Sequence, residues 1–300
     1  MLENLKSFFK LIRWFHELLA ILPFLGLYLV IDYYTQKSGL VCNLSGFNFI
    51  ILCFCVQLLI AVGCVLNDIM DYEIDKINKP KTHIIGNKIS LTNAKVIFAT
   101  LTLIIFFLSV YISRNIFVEW AFISTGVYIL SIVYDVYFKQ LPLFGNILMA
   151  ILASFIPLVI LFYAKDCIET LHNEKINILI YLYAFFPFLI IIPRELSLDI
   201  SDIEGDKACR CKTLPILIGI KKSRIVVVAF LFLTIILSFF TALKYNYLTV
   251  PFCIIDVLIL YYIYNLKKTE TRLDYIKMGR FLWFIMIFGL VIFTVSTIIF

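Results

Sequence analysis

The sequence is poor in charged residues and in the clustered residue types that build zinc centres. Only 15% of its 300 residues are charged and 62% are hydrophobic, whereas about a quarter of the residues in soluble domains are charged. Two close cysteine pairs are present, Cys53/Cys55 and Cys209/Cys211, but neither has the second pair or the histidines that zinc sites use. The composition therefore excludes a soluble globular domain and argues against a zinc centre.

No cleavage site of small residues follows the first apolar run, so this run is expected to remain as the first helix. Apolar stretches of about 20 residues are typical of membrane spans, and such spans must satisfy their backbone groups internally, as helices do. The sequence predicts an all-α, polytopic membrane protein, a bundle of transmembrane helices around a central cavity that forms one domain over residues 1–300. Nine transmembrane helices are predicted, near residues 14–34, 47–66, 95–113, 117–138, 144–164, 176–193, 224–243, 247–265 and 281–300.

The distribution of positive charge predicts the orientation of these helices, because cytoplasmic loops carry an excess of lysine and arginine. With the N-terminus in the cytoplasm, 21 of the 26 basic residues lie on the cytoplasmic side. The expected localisation is the cytoplasmic membrane, with the C-terminus on the far side. The net charge of +6 thus reflects membrane orientation and is no argument for a nucleic-acid partner. The basic residues left outside are Lys37, Arg114, Lys165, Lys175 and Lys244.

Two acidic clusters interrupt the hydrophobic sequence, and they share one pattern of residues. The first reads DIMDYEIDK from Asp68, and the second reads DISDIEGDK from Asp199, 131 residues later. Both fall on the predicted cytoplasmic side, after the second and the sixth helix. The matching residues are Asp68, Asp71, Glu73, Asp75 and Lys76 in the first cluster and Asp199, Asp202, Glu204, Asp206 and Lys207 in the second.

The spacing of the aspartates predicts a site for a divalent cation. At 3.6 residues per turn, offsets of three and seven put the three aspartates of a cluster on one face of a helix. Their like charges repel, and charge is costly near lipid, so a cation is expected to compensate them. Mg²⁺ takes one or two carboxylates together with substrate phosphates. Two such clusters facing each other predict a magnesium site for a diphosphate, with lysine and arginine side chains stabilising the departing group.

Three other interpretations of the acidic clusters have less support. Solvated acidic helix ends would account for one cluster, but less well for two copies with the same spacing. A cation-coupled transporter would place carboxylates near the middle of the membrane and would have an inverted repeat, whereas the two clusters lie in parallel copies at helix ends. The CDP-alcohol phosphotransferases carry a DGxxAR signature, which does not occur here.

Four segments resemble, in the right order, motifs of the UbiA superfamily of intramembrane prenyltransferases. NDIMDYEIDK from Asn67 is similar to its first motif, NDxxDxxxD, and RELSLDISDIEGDKACRCKTLPILIG from Arg194 is similar to its second, DxxDxxxD. INKPKTHIIGNKIS resembles the loop after the first motif, and YDVYFKQLPLFGN resembles the Tyr…Lys…Gly-Asn segment. The resemblance covers nearly the whole chain, including the number of helices.

The resemblance implies a role for each matching residue. It implies a Mg²⁺-dependent prenyltransferase that ionises an allylic diphosphate, after which an acceptor captures the carbocation. Tyr134 would lie beside the reacting carbon, where a ring face attracts a cation. The implied ligands of Mg²⁺ are Asp68, Asp71, Asp75, Asp199, Asp202 and Asp206, and Asn67 joins them around the donor diphosphate. The implied catalytic residues are Asp68, Asp71, Asp199, Asp202 and Tyr134. The implied contacts to diphosphate oxygens are Lys79, Lys81, Lys139, Arg194, Lys207 and Lys212.

Within the family, DIEGDK…KTLPILIG and INKPK…IIG look most like the geranylgeranylglycerol-phosphate geranylgeranyltransferase branch. That resemblance implies a polyprenyl diphosphate donor, a lipid-soluble or interfacial acceptor with a glycerol phosphate hydroxyl, and a place in membrane lipid biosynthesis. The alternative is prenylation of an aromatic quinone precursor of the 4-hydroxybenzoate or naphthoate type. Acceptor choice depends on the shape of the cavity, so the sequence leaves both acceptors open.

Several positions depart from the family pattern or have no settled role. Residues 78–83 read NKPKTH where the family commonly has Asn-Arg-Pro-x-Arg-Pro, and lysine lacks the bidentate fork of arginine. His16 and Glu17 stand where many members have proline and asparagine, and they would either act on an acceptor hydroxyl or cap the first helix. Asp256, in the middle of the eighth predicted helix, would contact a substrate head group or hydrogen-bond a neighbouring helix. His83 is a candidate for contact with substrate.

Overall fold

The computed structural model describes residues 2–40 and 45–300, without the side chains of residues 2–4 and 15–17. The hypotheses for His16 and Glu17 therefore lie outside the described side chains. The helices of the first half are α1 (Leu2–Leu11), α2 (Trp14–Lys37), α3 (Gly46–Met70), α4 (Tyr72–Asn78), α5 (Leu91–Asn115), α6 (Trp120–Val136) and α7 (Phe144–Leu158). Those of the second half are α8 (Ile160–Tyr163), α9 (Lys165–Leu171), α10 (Glu174–Ser201), α11 (Ile203–Ala208), α12 (Leu214–Lys244), α13 (Thr249–Leu266) and α14 (Arg272–Ile299).

In the described part of the chain, eight helices are long and apolar enough to cross a membrane. They correspond to eight of the nine predicted segments, and the all-α, multi-pass membrane fold is confirmed. The ninth segment, predicted at 117–138, is the apolar helix α6. Its 17 residues rise about 26 Å at 1.5 Å per residue, slightly less than the ~30 Å hydrocarbon core of a bilayer. The eight long spans are Leu18–Lys37, Gly46–Met70, Leu91–Asn115, Phe144–Tyr163, Glu174–Ser201, Leu214–Lys244, Asn246–Leu266 and Arg272–Ile299.

The chain forms two compact units. Unit 1 consists of residues 1–21, 43–139 and 204–211, and unit 2 consists of residues 22–42, 140–203 and 212–300. The second acidic motif is divided between them, because Asp199 and Asp202 belong to unit 2 and Asp206 belongs to unit 1. That the chain acts as a single domain stays a prediction.

In unit 1, α3 is the central helix and packs against α1, α5 and α6. Its first turn is capped by the Ser45 hydroxyl, which accepts a hydrogen bond from the Asn48 N–H, an arrangement that contributes about 1 kcal/mol. The loop after α4 is anchored by Ile85, which is 3% exposed. Ile85 belongs to a hydrophobic cluster with α3, so this loop is fixed next to the helix end that carries the first motif. The other buried members are Leu11, Ala61, Val62, Val65, Ala94, Leu101 and Ile105.

Both acidic motifs cross a break between a long helix and a short one. Asp71 stands between α3 and α4, and Asp202 stands between α10 and α11. Their backbone conformations are similar, with φ −81° and ψ 5° at Asp71 and φ −105° and ψ 10° at Asp202. Each motif is therefore divided between two helices at its middle aspartate. That the three aspartates of a motif share one helical face stays a prediction.

In unit 2, α10 is the central helix and packs against α7, α12 and α14, while α13 packs against α12 and α14. Close approach of α14 depends on Gly289, where an added Cβ would lie 2.4 Å from Cε1 of Phe186 on α10. Small residues are enriched where membrane helices approach closely. The Ser197 and Tyr262 hydroxyls also hydrogen-bond each other at 2.8 Å between α10 and α13. These contacts fix the helix that ends in the second motif.

Candidate active site

The first and last aspartates of the first motif each contact a basic side chain. Arg13 Nη2 donates a hydrogen bond to Asp68 Oδ1 at 2.8 Å, and Lys79 Nζ donates to Asp75 Oδ1 at 2.8 Å. The two carboxylate side chains are only 14% and 13% exposed, and a buried charge is costly unless it is paired. Arg13 lies between α1 and α2 with φ 53°, a left-handed conformation that is unusual for a residue other than glycine.

The middle aspartate of this motif, Asp71, forms an ion pair with Lys139. Lys139 belongs to the short helix Phe138–Gln140 that follows α6. Burial by itself would lower the pKa of Lys139, but the attraction and the hydrogen bond of the Asp71 carboxylate, together with the charge of Asp135, raise the pKa above its ordinary value. Lys139 is therefore fully charged at neutral pH, which suits the predicted contact with a diphosphate oxygen.

The amide of Asn67 is held by two charged side chains. Asn67 Nδ2 donates to Asp135 Oδ1 at 3.0 Å, and Arg13 Nη2 donates to Asn67 Oδ1 at 3.3 Å. Asp135 is 4% exposed and comes from α6. The Asn67 side chain therefore lies between the carboxylate of one helix and the guanidinium that also contacts Asp68.

The two unit 2 aspartates of the second motif have partners of their own. Asn146 Nδ2, on α7, donates to Asp199 Oδ2 at 2.8 Å. Arg272 Nη2, at the start of α14, donates to Asp202 Oδ1 at 2.8 Å. Arg272 Nε is buried and has no hydrogen-bond partner within the described structure. The Arg272 guanidinium thus has a donor left for an anionic ligand.

The third aspartate of the second motif, Asp206, lies in unit 1 with the first motif. It is 9% exposed, and its backbone carbonyl accepts a hydrogen bond from the Cys211 N–H at 2.9 Å. The preceding residue, Gly205, donates its N–H to Asn78 Oδ1 at 3.0 Å. Asn78 ends the short helix of the first motif, so this hydrogen bond ties the end of one acidic motif to the other.

The remaining predicted site residues differ in their exposure. Lys81, Lys207 and Lys212 are exposed, and Tyr134 is half-buried near the end of α6. Exposed lysine side chains keep their freedom to reach a bound anion, at a cost of up to ~2 kcal/mol in lost side-chain entropy when they do.

Two further residues lie close to the motifs. Arg194 forms an ion pair with its neighbour Glu195 one and a half turns before Asp199. His83 lines a small hollow together with Asp68 and Asp75, and its Nδ1 lies 2.9 Å from the Lys79 carbonyl oxygen. His83 is therefore placed beside the carboxylates, as a contact with substrate would require.

The oxygen donors of the first motif suit a hard divalent cation. They are carboxylate oxygens and one amide oxygen, the ligands that Mg²⁺ prefers. Within residues 2–40 and 45–300, no three histidine, cysteine, aspartate or glutamate side chains lie close enough to enclose a metal ion by themselves. Mg²⁺ does not need such a cage, because it combines one or two carboxylates with substrate phosphates. The donor set therefore fits a Mg²⁺ ion whose coordination a diphosphate completes.

Four of the side chains that contact the motifs were not among the predicted site residues: Arg13, Asp135, Asn146 and Arg272. Asp135 and Asn146 lie inside the quoted segment YDVYFKQLPLFGN, and a carboxylate beside an apolar helix is a signal that could have identified Asp135. Arg13 and Arg272 were counted only as cytoplasmic charges. No spacing in the sequence relates them to the aspartates, which lie 55 and 70 residues away.

The model of the UbiA prenyltransferase family matches residues 20–285 of the chain. The chain belongs to this family. It is therefore a prenyltransferase of the membrane, and the resemblance carried by the four motifs is confirmed. The first acidic motif, with its asparagine, lysine and arginine neighbours in unit 1, is the candidate active site of a UbiA protein.

Curated relatives share about a third of their residues with this UbiA protein. Digeranylgeranylglyceryl phosphate synthase of Pyrococcus furiosus is 34% identical over 66% of this chain and 67% of its own. The synthases of the same name from Methanosphaera stadtmanae and Saccharolobus solfataricus are 30% and 31% identical. They cover 84% and 90% of this chain and 89% and 92% of their own chains.

Solved structures show the same fold. A structure of digeranylgeranylglyceryl phosphate synthase is 26% identical, with a TM-score of 0.62 and coverage of 99% of both chains. A UbiA homologue from Archaeoglobus fulgidus, solved with bound GPP and Mg²⁺, is 17% identical with a TM-score of 0.60. It covers 96% of this chain and 99% of its own. At that identity the likeness concerns the fold alone.

Proposed function

We propose that the protein is a Mg²⁺-dependent digeranylgeranylglyceryl phosphate synthase. It transfers a geranylgeranyl group from an allylic diphosphate to the free hydroxyl of geranylgeranylglyceryl phosphate. The observation that carries the proposal is the set of relatives with this activity in their names, one of which aligns with 90% of this chain at 31% identity. The oxygen-rich first motif, with its basic side chains, supports a diphosphate donor.

The first motif and its partners form the proposed donor site of unit 1. Asn67, Asp68, Asp71 and Asp75 would hold Mg²⁺, which, when bound, supplies charge stabilisation for the departing diphosphate. Lys139 has three N–H donors, so its contact with Asp71 leaves it able to donate to a diphosphate oxygen as well. Burial of these groups strengthens their interaction with a bound anion, because the local dielectric constant is lower than that of water.

The remaining predicted site residues extend this proposal. Asp199, Asp202 and Asp206 supply the second set of carboxylates for Mg²⁺. The half-buried ring of Tyr134 faces the allylic carbon, since aromatic faces attract a developing cation. The side chains proposed to contact diphosphate oxygens, besides Lys139, are Lys79, Lys81, Arg194, Lys207 and Lys212.

The proposed reaction exchanges one carbon–oxygen bond for another. The bond between C1 of the donor and its diphosphate oxygen breaks, and the electron pair leaves with the diphosphate. A lone pair of the acceptor hydroxyl oxygen then forms the ether bond to C1, and the hydroxyl proton is released. The chain binds and orients the diphosphate and places charge around it, which lowers the barrier to ionisation.

We also propose that both acidic motifs face the cytoplasm. The excess of basic residues on that side supports this orientation. A second support is Cys167 in α9, on the predicted outer side, which forms a disulfide bond. Disulfides persist in oxidising compartments and are rare in the cytosol.

Protease treatment of intact cells and of inverted vesicles, with an epitope tag at either end, tests the orientation. A C-terminal tag protected in intact cells and cleaved in inverted vesicles would contradict it.

The activity is tested with purified protein, radiolabelled geranylgeranyl diphosphate and Mg²⁺. Geranylgeranylglyceryl phosphate, 4-hydroxybenzoate and a dihydroxynaphthoate are offered in separate reactions, and the labelled lipids are identified by mass spectrometry. The expected product is the digeranylgeranyl ether of glycerol phosphate, formed only when Mg²⁺ is present. Label found in a prenylated aromatic acid, and not in the ether, would refute the proposed acceptor.

Three variants accompany this assay. Asp71→Asn removes a proposed metal ligand and is expected to abolish product formation. Asp256→Asn removes a carboxylate from a span outside the site and is expected to leave activity unchanged. Full transfer by Asp71→Asn protein, and by an Asp202→Asn variant, would rule out the metal–diphosphate assignment.

A further inference from the structure

The contacts of the Asn67 side chain determine the orientation of its amide: the nitrogen lies towards Asp135 on α6, and the oxygen lies towards Arg13, which also contacts Asp68. Its Nδ2 lies 3.0 Å from Asp135 Oδ1, and its Oδ1 lies 3.3 Å from Arg13 Nη2. The same Nη2 atom lies 2.8 Å from Asp68 Oδ1. The amide oxygen of Asn67 and the Asp68 carboxylate therefore both accept a hydrogen bond from the Arg13 guanidinium.

The chemistry of the two neighbours permits only this orientation. A carboxylate accepts hydrogen bonds and a guanidinium donates them, whereas an amide does both. With the amide reversed, two oxygens would face each other at Asp135 and two sets of N–H groups would face each other at Arg13. Asp135 is buried, at 4% exposed, so an unpaired oxygen facing it would be costly, whereas Arg13, whose side chain is 44% exposed, would lose only its hydrogen bond to Asn67.

We propose that Asp135 is a positioning residue that holds Asn67 with its amide oxygen turned towards the Mg²⁺ and diphosphate of the donor site. The inference rests on the proposed function, because it assumes a cation at the first motif. Asp135 does not touch the reacting atoms and acts through Asn67 alone. Groups that orient a metal ligand in this way typically change metal affinity by 10- to 100-fold when they are altered.

Asp135 is free to hold Asn67 because the nearby Lys139 ammonium is hydrogen-bonded to Asp71. Asp135 is 4% exposed, so water offers it few alternative donors. Its hydrogen bond from Asn67 joins α6 to the end of α3, and the register of those two helices sets the position of the amide.

The decisive variant is Asp135→Asn. It keeps the shape of the side chain but replaces a carboxylate, which can only accept hydrogen bonds, with an amide, which can also donate them. An asparagine at position 135 can pair with Asn67 in either orientation, so the amide oxygen is no longer selected. In the double variant Asn67→Asp/Asp135→Asn, position 135 donates and position 67 accepts. Position 67 then again presents an oxygen to the cation. Asp256→Asn is the matched control for removing a carboxylate from a span.

The readout is the Mg²⁺ concentration that gives half-maximal thermal stabilisation of the full chain in detergent. The donor is replaced by geranylgeranyl thiodiphosphate, a poor substrate, so that binding is measured apart from turnover. Asp135→Asn is expected to raise this Mg²⁺ concentration at least tenfold. The double variant is expected to return to within threefold of the unaltered protein, and Asp256→Asn is expected not to differ from it.

Comparison of Asn67→Asp with the double variant provides a second, independent test. In the single variant two carboxylates face each other, so it is expected to bind Mg²⁺ more weakly than the double variant. This comparison stands even if the Asp135→Asn protein does not fold. An unchanged Mg²⁺ requirement in Asp135→Asn, or a loss that the double variant does not reverse, would overturn the positioning role only. Failure of Mg²⁺ and the thiodiphosphate to stabilise the unaltered protein would overturn the proposed donor site as well.

Discussion

The side chain of Asn78 accepts a hydrogen bond from the backbone N–H of Gly205, with 3.0 Å between Oδ1 and N. Asn78 follows the last aspartate of the first motif by three residues, and Gly205 immediately precedes the last aspartate of the second. Both residues are buried. One buried hydrogen bond therefore connects two segments that are 127 residues apart and places Asp206 beside the first motif.

Gly205→Ala is expected to reduce prenyl transfer by at least tenfold. An added Cβ would lie 2.5 Å from Asn78 Nδ2 and 2.9 Å from its Oδ1, so Asn78 would have to move and its hydrogen bond would be lost. Steady-state kcat/KM at saturating Mg²⁺ measures the effect. Gly63→Ala, in α3, is the control, because an added Cβ there meets no atom within 4 Å. Equal activity of the two variants would show that the Asn78–Gly205 contact does not position Asp206.

Lys139→Met is expected to lower kcat/KM by at least about 100-fold, the typical effect of removing one donor from a site of developing negative charge. The change also leaves Asp71, whose side chain is 15% exposed, without its cation. Lys139→Arg keeps the charge but not the geometry of the ammonium group, and intermediate activity is expected. Lys88→Met, in an exposed part of the same unit, should behave as the unaltered protein. A kcat/KM for Lys139→Met within threefold of normal would remove Lys139 from the site.

Gly289→Ala is expected to destabilise unit 2 by about 1–3 kcal/mol, the usual cost of overpacking a close helix contact. An added Cβ would lie 2.4 Å from Phe186 Cε1 and 3.2 Å from Ile255 Cδ1, so aromatic and aliphatic side chains would both have to move. The melting temperature of the detergent-solubilised protein measures the loss. Gly126→Ala is the control, since an added Cβ there meets nothing within 4 Å. A melting temperature of Gly289→Ala at or above that of Gly126→Ala would contradict the close packing of α10 against α14.

Asp256→Asn is expected to preserve prenyl transfer, because the Asp256 carboxylate serves a helix contact. Ser238 Oγ, on α12, donates to Asp256 Oδ2, on α13, at 2.7 Å, which favours the second of the two roles considered for this residue. Asparagine can still accept this hydrogen bond, whereas Ser238→Val removes the donor. Hydrogen bonds between membrane helices contribute about 0.6 kcal/mol on average, so Ser238→Val should lower the melting temperature slightly. Loss of transfer in the Asp256→Asn protein, with its stability intact, would instead indicate a contact with substrate.

The helices could be predicted because the bilayer imposes a simple rule on sequence. A span needs about 20 apolar residues, and each such run was recognisable. Ends were predicted less well: α14 begins at Arg272, whereas the predicted segment begins at 281, and α12 begins at Leu214 but has a non-helical residue at Gly219 (φ 80°, ψ 161°), shortly before the predicted start at 224. Both early turns contain charged or exposed residues, which a hydrophobicity pattern cannot separate from a loop.

The candidate site could be predicted where its residues lie in short motifs, and not where they come from elsewhere in the chain. The aspartates, Asn67, Lys79 and Lys139 were found through their spacing and the resemblance to a family. The break at the middle aspartate of each motif, Asp71 and Asp202, was not predicted. Arg13 and Arg272 were missed because an ion pair depends on distance in space, and these residues lie 55 and 70 positions from their aspartates along the chain.

The sequence by itself determined the membrane-spanning helices, the duplicated carboxylates and the membership of a prenyltransferase family. Each of these features depends on composition or on the spacing of residues within a short segment. Only the tertiary structure decided which charge each carboxylate meets, as it did for Asp68 with Arg13, Asp202 with Arg272 and Asn67 with Asp135. The physical reason is that hydrogen bonds and ion pairs act over about 3 Å, while the residues that form them are brought together from positions more than 50 residues apart.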